Sequence, residues 1–307
     1  MNSIISSQKE SSLKDEIWEG QRTDHLVKPR KKLVAVNYHI TKLCNYKCRF
    51  CFARFAQIQE NLSTIRIKEI ITRLWEEGME KITFVGGEPF LYKDLGYLVK
   101  YAKTIGVTTM IVTNGSLLKK CFLEKYGEFI DWIGFSIDSE YESTEKELGR
   151  CLAGKKGNHV QKIKQKVSMV RDYGIKIKIN SVITSLNFKE DMTTLITELN
   201  PDRWKVFQVL LINGENDQSL GSLTINHDQF LKFIRHHVSL HPIYEFENKM
   251  LESYVMVSPD GRFFSNKGRK IRYSESILRV GIPKAISQID FSYEKLVERK
   301  GIYDWNE

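Results

Sequence analysis

Three cysteines fall inside one short stretch, Asn37 to Ala53, NYHITKLCNYKCRFCFA. They are Cys44, Cys48 and Cys51, spaced C-x3-C-x2-C, with Phe50 just before the third. The first thirty residues lack the apolar run of a signal peptide, so clustered thiols point to a metal site and not to a disulfide framework. Thiolates are soft ligands that favour iron–sulfur or zinc. A structural zinc site wants four closed ligands. Only three are clustered here, and the nearest addition, His39, lies in strand-like sequence. Three thiolates on one loop suit three irons of a 4Fe–4S cube and leave the fourth iron open to a small molecule. The cluster is the preferred reading and zinc the alternative. Cys121 and Cys151 stand apart and read as unpaired.

A second set of residues is cationic and lies on strand-like sequence. In KIKINSV, Lys176, Lys178 and Asn180 share one face, with Ile177 and Ile179 on the other. In RWKVFQ, Arg203 and Lys205 share a face opposite Trp204 and Val206, and Lys81 opens another strand. Several cations on a sheet face are unfavourable unless an anion compensates them. Polyphosphate is the fitting anion, with arginine as a clamp and lysine as a point charge. An exposed edge strand is the plain alternative. Single-stranded nucleic acid is a third reading, but no run of stacking aromatics accompanies the cations.

The elements that must position these residues alternate regularly. KKLVAVNYHI reads as a first strand, and the cysteine loop follows it. IRIKEIITRLWEEGM places Ile67, Ile70, Ile71 and Leu74 at helical spacing, and Gly78 ends it. Strand and helix then alternate through KITFVGGEPF, LGYLVKYAKTIG, TTMIVTNGS, LLKKCFLEKYGE, WIGFSID, GNHVQKIKQKVSMVRDYG, IKIKINSVIT, KEDMTTLITELN and RWKVFQVLL. Six β/α units imply a parallel sheet with right-handed crossovers. A parallel barrel puts ligand-contacting residues at strand C-termini. The cysteine loop, the Gly86-Gly87-Glu88 turn, Asn114 in TNGS and Ser136 in FSID all fall there. Glycines let backbone approach a ligand, although a tight turn needs them too. Asn114 and Ser136 equally suit helix caps. Beyond Leu211, Asn226 is placed to cap FLKFIRHHV, and SYVMVSPDGRFFSN reads as a hairpin around Pro259-Asp260-Gly261.

Size and composition bound the rest. The chain has 307 residues, enough for one barrel-like α/β domain with appendages. It is 41% hydrophobic and 28% charged, which fits a packed soluble core. No run is long enough to span a bilayer, so a cytoplasmic protein is expected. The net charge of +9 suits an anionic ligand or nucleic acid without choosing between them.

The cysteine spacing with Phe50 resembles the signature of the radical S-adenosylmethionine (SAM) superfamily. The segments VNYHITKLCNYKCRFCF, GMEKITFVGGEPFL, KINSVI, LNPDRWKVFQ with LLINGEN, and ESYVMV resemble the viperin family within it, especially its shorter prokaryotic members. The resemblance implies an α/β fold, a partial (βα)6 TIM-like barrel of the radical SAM type, with a C-terminal extension. Residues 1–31 would be an N-terminal arm, 32–211 the barrel, and 212–307 the extension that closes the nucleotide site. It implies a 4Fe–4S cluster on Cys44, Cys48 and Cys51, and SAM bound near Phe50, Gly86, Gly87, Glu88, Asn114, Ser136 and Arg150. A solvated arginine is the alternative for Arg150. Asn37, Lys81, Lys178, Asn180, Arg203 and Lys205 would hold a nucleoside triphosphate. The implied reaction is SAM-dependent dehydration in antiviral defence: a 5′-deoxyadenosyl radical takes the C4′ hydrogen, and the 3′-hydroxyl leaves as water. One further electron closes the alkene of a 3′-deoxy-3′,4′-didehydro nucleotide. The implied partners are the nucleotide and a reductant such as flavodoxin or ferredoxin, with no nucleic acid, no membrane and a monomeric state. Competing readings are a radical SAM enzyme acting on peptide or RNA, and a non-enzymatic metal protein that binds nucleic acid. Two departures stand out. The animal members carry an N-terminal amphipathic helix that this arm lacks, and SPDGRFF replaces their segment near the base. CTP, UTP and GTP therefore all remain open. The hairpin 253–272 is expected to read the base, with Asp260 as acceptor and Arg262 and Asn266 as donors.

Replacing one cysteine tests the metal reading. Cys48→Ala is expected to abolish the brown absorbance of iron- and sulfide-reconstituted protein together with SAM cleavage. A variant that keeps a full cluster and full cleavage overturns the assignment.

Overall fold

The computed structural model describes residues 33–152 and 157–305. The proposed arm, 1–31, lies outside the described residues. The six expected strands form in order: β1 (Ala35–His39), β2 (Lys81–Val85), β3 (Thr108–Thr113), β4 (Trp132–Ser136), β5 (Lys176–Ile183) and β6 (Arg203–Gln208). Each pairs in parallel with the next. Between them run the helices α1 (Thr64–Glu76), α2 (Leu95–Thr104), α3 (Lys120–Tyr126), α4 (His159–Arg171) and α5 (Thr193–Leu199). Helix α1 buries Ile67, Ile70, Ile71 and Leu74, the stripe read from its spacing. These side chains and their counterparts meet the outward faces of the strands in one large apolar core. On β5, Ile177, Ile179, Ser181 and Ile183 are buried, while Lys176, Lys178, Asn180 and Val182 alternate with them.

The C-terminal extension joins the same sheet at both edges. The strand β7 (Ile243–Glu245) pairs in parallel beyond β6. On the other side β8 (Val255–Val257) pairs in parallel with β1. An antiparallel pair, β9 (Arg262–Ser265) and β10 (Arg272–Ser276), follows it. The ten-strand order is β10-β9-β8-β1-β2-β3-β4-β5-β6-β7. The sheet is curved but open, since β7 and β10 are its edges. The expected hairpin at Pro259-Asp260-Gly261 forms, with Gly261 at φ +76°. Asn226 caps the helix α6 (His227–His236) in a reciprocal pair with Gln229. Among the described residues no helix is long and apolar enough to cross a membrane.

Candidate active site

The inward faces of β1 to β6 and β8, with the loops at their ends, enclose a cavity of about 350 Å3. One end carries the thiols. Cys44, Cys48 and Cys51 line it, together with Phe50, Gly86, Gly87, Asn114, Ser136 and Arg150. All five cysteines of the chain are free, including Cys121 and Cys151. Burial pushes the three lining thiols above their ordinary range, Cys48 up to about 12, against the opposing pull of Arg150. Bound iron would reverse this, because a coordinated thiol is deprotonated. The backbone N–H of Tyr46 donates to Cys44 Sγ at 3.4 Å. Three soft donors on one wall beside a guanidinium fit a cluster with one open iron. His39, the residue weighed as a fourth zinc ligand, also lines the cavity, with its ring packed among Phe52, Phe55 and Phe264. Burial lowers its pKa to about 3.

The turn after β2 is built against the cysteine loop. Gly87 N–H donates to Thr41 O and Glu88 N–H to Leu43 O, both at 2.7 Å. A Cβ on Gly87 would lie 2.2 Å from Leu43 O, and one on Gly86 2.6 Å from Thr41 O. The glycines are thus required by backbone-to-backbone contact before any ligand is considered. Glu88 is fully buried and does not line the cavity. Its carboxylate accepts from Thr113 Oγ1 at 2.7 Å, Asn114 N at 2.9 Å and Phe90 N at 3.2 Å. It ties the ends of β2 and β3 together. Asn114 Nδ2 donates to Asn45 Oδ1 at 2.9 Å, which extends the tie to the cysteine loop. The Ser136 carbonyl accepts from His159 Nε2 at 2.8 Å. Arg150 is not a solvated arginine. It is buried, lies 5.1 Å from the Phe50 ring centroid, and pairs with fully buried Asp138 at 2.5 Å.

The other end of the cavity is cationic. Lys81, Lys178, Arg203 and Lys205 line it, with Asn37 and Asn180. Strand register sets Lys178 beside Arg203 and Asn180 beside Lys205. Like charges directly opposite on a sheet repel, and burial adds to the effect. Lys81 is held down to about 7 by burial and by Arg203 and Lys205. Burial likewise lowers Lys205 to about 8, with Glu245 opposing, and places Lys178 well below the usual lysine range. Lys205 pairs with Glu245, which also accepts from Tyr254 OH at 2.6 Å and lies 3.4 Å from Arg299. Lys81 donates to Tyr303 OH at 2.5 Å, and Arg203 lies 3.8 Å over the Tyr303 ring. Among the described residues no side-chain hydrogen bond or ion pair engages the Lys178 ammonium, although its backbone pairs within the sheet. Asn180 Oδ1 and Arg203 Nε are buried without partners.

Sequence reasoning missed Glu245, Tyr254, Arg299 and Tyr303. Their only signal was the resemblance over ESYVMV and an aromatic tail. It also placed the hairpin turn wrongly. Asp260 and Arg262 pair with each other at 2.6 Å and do not line the cavity. Gly261 packs against Leu62 and Ile70, on the helix side. Of that segment Tyr254, Val255, Met256 and Asn266 reach the cavity. Asn266 Oδ1 accepts from Glu252 N at 2.9 Å.

Residues 38–199 match the family model of the radical SAM superfamily. The chain is 40% identical over 289 residues to an "S-adenosylmethionine-dependent nucleotide dehydratase" of Flammeovirga pacifica, covering 91% of this chain and 99% of that protein. It is 40% identical over 283 residues to the "S-adenosylmethionine-dependent nucleotide dehydratase RSAD2" of Danio rerio, covering 89% and 78%. Among solved structures it resembles "Native anSMEcpe with bound AdoMet and Kp18Cys peptide", with a TM-score of 0.65 and 14% identity over 87% of this chain and 82% of that one. It also resembles Streptococcus suis SuiB bound to S-adenosylmethionine, with a TM-score of 0.59 and 16% identity over 75% of this chain, and spans 59% of that protein's length. At these identities the structural likeness speaks for the fold alone.

The crowded cations make a proton-linked prediction. In the empty site Lys81 and Lys205 lose their protons between about pH 7 and pH 8. A polyanion favours the charged forms and raises both pKa values. Binding of inorganic triphosphate in that window is therefore expected to take up protons, and its affinity to fall as pH rises through it. Calorimetric titration in buffers of different ionisation enthalpy checks this. A binding heat independent of the buffer overturns it.

Proposed function

The chain belongs to the radical SAM superfamily and, within it, to the viperin family of S-adenosylmethionine-dependent nucleotide dehydratases, and from that membership we propose that it dehydrates a nucleoside triphosphate. The substrate is CTP, UTP or GTP, and the product is the 3′-deoxy-3′,4′-didehydro analogue, formed with loss of the C4′ hydrogen and of the 3′-hydroxyl as water. The observation that carries the reading is the set of cations facing the thiols across one cavity, Lys81 and Lys205 buried and Lys178 and Arg203 half-buried, with Arg203 Nε lacking a partner among the described residues. The enzyme's cofactors, a 4Fe–4S cluster and SAM, supply a 5′-deoxyadenosyl radical when bound. Cys44, Cys48 and Cys51 are the residues to hold the cluster. Phe50, Gly86, Gly87, Asn114, Ser136 and Arg150 face the space for SAM, while Glu88 fixes the turn that carries the glycines.

The remaining residues bind, orient and exclude. Lys81, Lys178, Arg203 and Lys205 take the triphosphate, whose charge relieves their mutual repulsion. This remote binding energy orients the sugar. Asn37 and Asn180 stand between cations and thiols, and the buried, unpartnered Asn180 Oδ1 suits a sugar hydroxyl. Trp132, Tyr303 and Trp305 surround Lys81, with ring centroids 4.4 to 5.6 Å from its Nζ. They keep water from the phosphate end. In domain terms, 32–211 is the catalytic barrel and 212–307 closes the site by contributing Glu245, Tyr254, Arg299 and Tyr303. Each turnover consumes two electrons, which a flavodoxin or ferredoxin is suited to deliver. A product without a 3′-hydroxyl ends any nucleic-acid chain that incorporates it, the basis for an antiviral role.

The test is anaerobic incubation of reconstituted protein with SAM, dithionite and each nucleoside triphosphate in turn. A nucleotide lighter than its parent by one water, formed with 5′-deoxyadenosine, is expected. Arg203→Ala is expected to weaken nucleotide binding by about 2 kcal/mol or more, as when one partner of a buried charge pair is truncated, and to leave SAM binding little changed. SAM cleavage indifferent to every nucleotide, with no new nucleotide mass, overturns the reading.

A further inference from the structure

The segment that follows β6, residues 212–220, has no role in the site as described, yet it grips the cysteine loop. Three successive carbonyls separate the second cysteine from the third, and each accepts a side-chain donor. Cys48 O accepts from Arg54 Nη2 at 3.3 Å. Arg49 O accepts from Ser219 Oγ at 2.6 Å and from Arg54 Nη2 at 3.2 Å. Phe50 O accepts from Asn216 Nδ2 at 2.9 Å. Arg54 Nη2 also donates to Ser219 Oγ at 2.5 Å, which closes the two loops on each other.

Two further observations make this more than loop contact. Asn216 is fully buried, and both N–H groups and the oxygen of its amide are engaged. Its Nδ2 also donates to Leu210 O at 2.9 Å, and its Oδ1 accepts from Ile212 N at 2.8 Å. Through Leu210 the amide is anchored just past the end of β6, the strand that bears Arg203 and Lys205. In addition, Phe55 has φ +52°, a left-handed conformation unfavourable for a bulky residue. Such strain persists only where the surroundings over-determine it. Here one carboxylate oxygen, Glu215 Oε2, accepts from both Arg54 N at 2.8 Å and Phe55 N at 2.9 Å.

We propose that residues 212–220 form a clasp on the cysteine loop, with Asn216 and Glu215 as positioning residues that fix the cluster-bearing thiols relative to the nucleotide strand β6. The proposal rests on the reading of Cys44, Cys48 and Cys51 as cluster ligands. Outer partners of this kind typically change metal affinity or activity 10- to 100-fold when lost. The clasp thereby sets both how firmly the cluster is retained and how well radical formation is aligned with the substrate.

The experiment compares reconstituted full-chain wild type with Asn216→Ala, Glu215→Ala and Glu215→Gln. Three quantities are read. They are iron transfer to a chelator, the electron paramagnetic resonance signal of the dithionite-reduced protein with SAM, and the ratio of 5′-deoxyadenosine to dehydrated nucleotide. Asn216→Ala and Glu215→Ala are expected to lose iron about tenfold faster or more, with an altered signal and a raised ratio. Glu215→Gln keeps a carbonyl oxygen for both N–H groups and is expected to stay near wild type in all three. If Asn216→Ala does not fold, the Glu215 pair decides alone. Folded Ala variants that match wild type in iron loss, signal and ratio overturn the clasp and leave the proposed function standing. So does a Glu215→Gln variant as impaired as Glu215→Ala. A wild type that takes up no four-iron cluster overturns the functional reading and the clasp with it.

Discussion

Buried positive charge without enough negative charge is the constraint around which this molecule is arranged. Lys178 and Arg203 sit side by side in strand register, Lys205 follows two residues on, and Lys81 shares the cavity. Burying an unpaired cation is strongly unfavourable. The fold meets part of that cost internally. Glu245 sits against Lys205 and Arg299, and the Tyr303 ring lies under Arg203 while its hydroxyl accepts from Lys81. The part that it does not meet shows as depressed lysine pKa values and as the unpartnered Arg203 Nε. A protein that maintains such a deficit gives up stability in the empty state, which a polyanionic ligand would restore on the proposed reading.

The opposite end obeys a different constraint, the accounting of backbone hydrogen bonds in a loop with little regular structure. The cysteine loop is satisfied from three directions. The Gly86-Gly87-Glu88 turn receives the carbonyls of Thr41 and Leu43. The helix-terminal segment at Leu148 and Gly149 receives the N–H groups of Arg49 and Lys47. The segment after β6 donates to the carbonyls of Arg49 and Phe50, and Arg54 to that of Cys48. Each comes from a different part of the chain, so the geometry of the thiols depends on the whole sheet assembling correctly. Metal centres of this type are stiffened by their outer partners as much as by their ligands.

Most of the architecture was legible in the sequence because its period was clean. The stripe Ile67, Ile70, Ile71 and Leu74 and the strict alternation of KIKINSVI each admit one orientation, and both fold that way. The cations of β5 and β6 were found by the same alternation. The C-terminal half was harder because its contributions are long-range. Glu245 lies in a three-residue strand and Arg299 just past a short helix, too brief for any periodicity to show which way they face. The hairpin turn was read as polar and therefore as ligand-facing. Its Asp260 and Arg262 satisfy each other, and Gly261 abuts Leu62 and Ile70. Turn chemistry specifies a turn, not which surface it meets. Glu88 shows the converse case: the motif was recognised, but only the structure shows its carboxylate spent on Thr113, Asn114 and Phe90.

The two ends of the cavity are joined by the strands themselves, and strand length sets the distance between their chemistries. Lys81 and Arg203 open β2 and β6, whereas the glycine turn and the cysteine loop follow the C-terminal ends of β2 and β1. At about 3.3 Å per residue, the five residues of β2 span roughly 16 Å. On the proposed reading, that places a polyphosphate at the N-terminal rim and a sugar partway up the strands, where Asn37 and Asn180 lie. The reacting carbon then sits beneath the thiol-bearing loop. Because the ruler is a hydrogen-bonded sheet and not a flexible side chain, it does not adjust to a misplaced substrate. On that reading, anchoring the phosphates is sufficient to place the sugar, and the proposed clasp holds the cysteine loop against the same strand, β6.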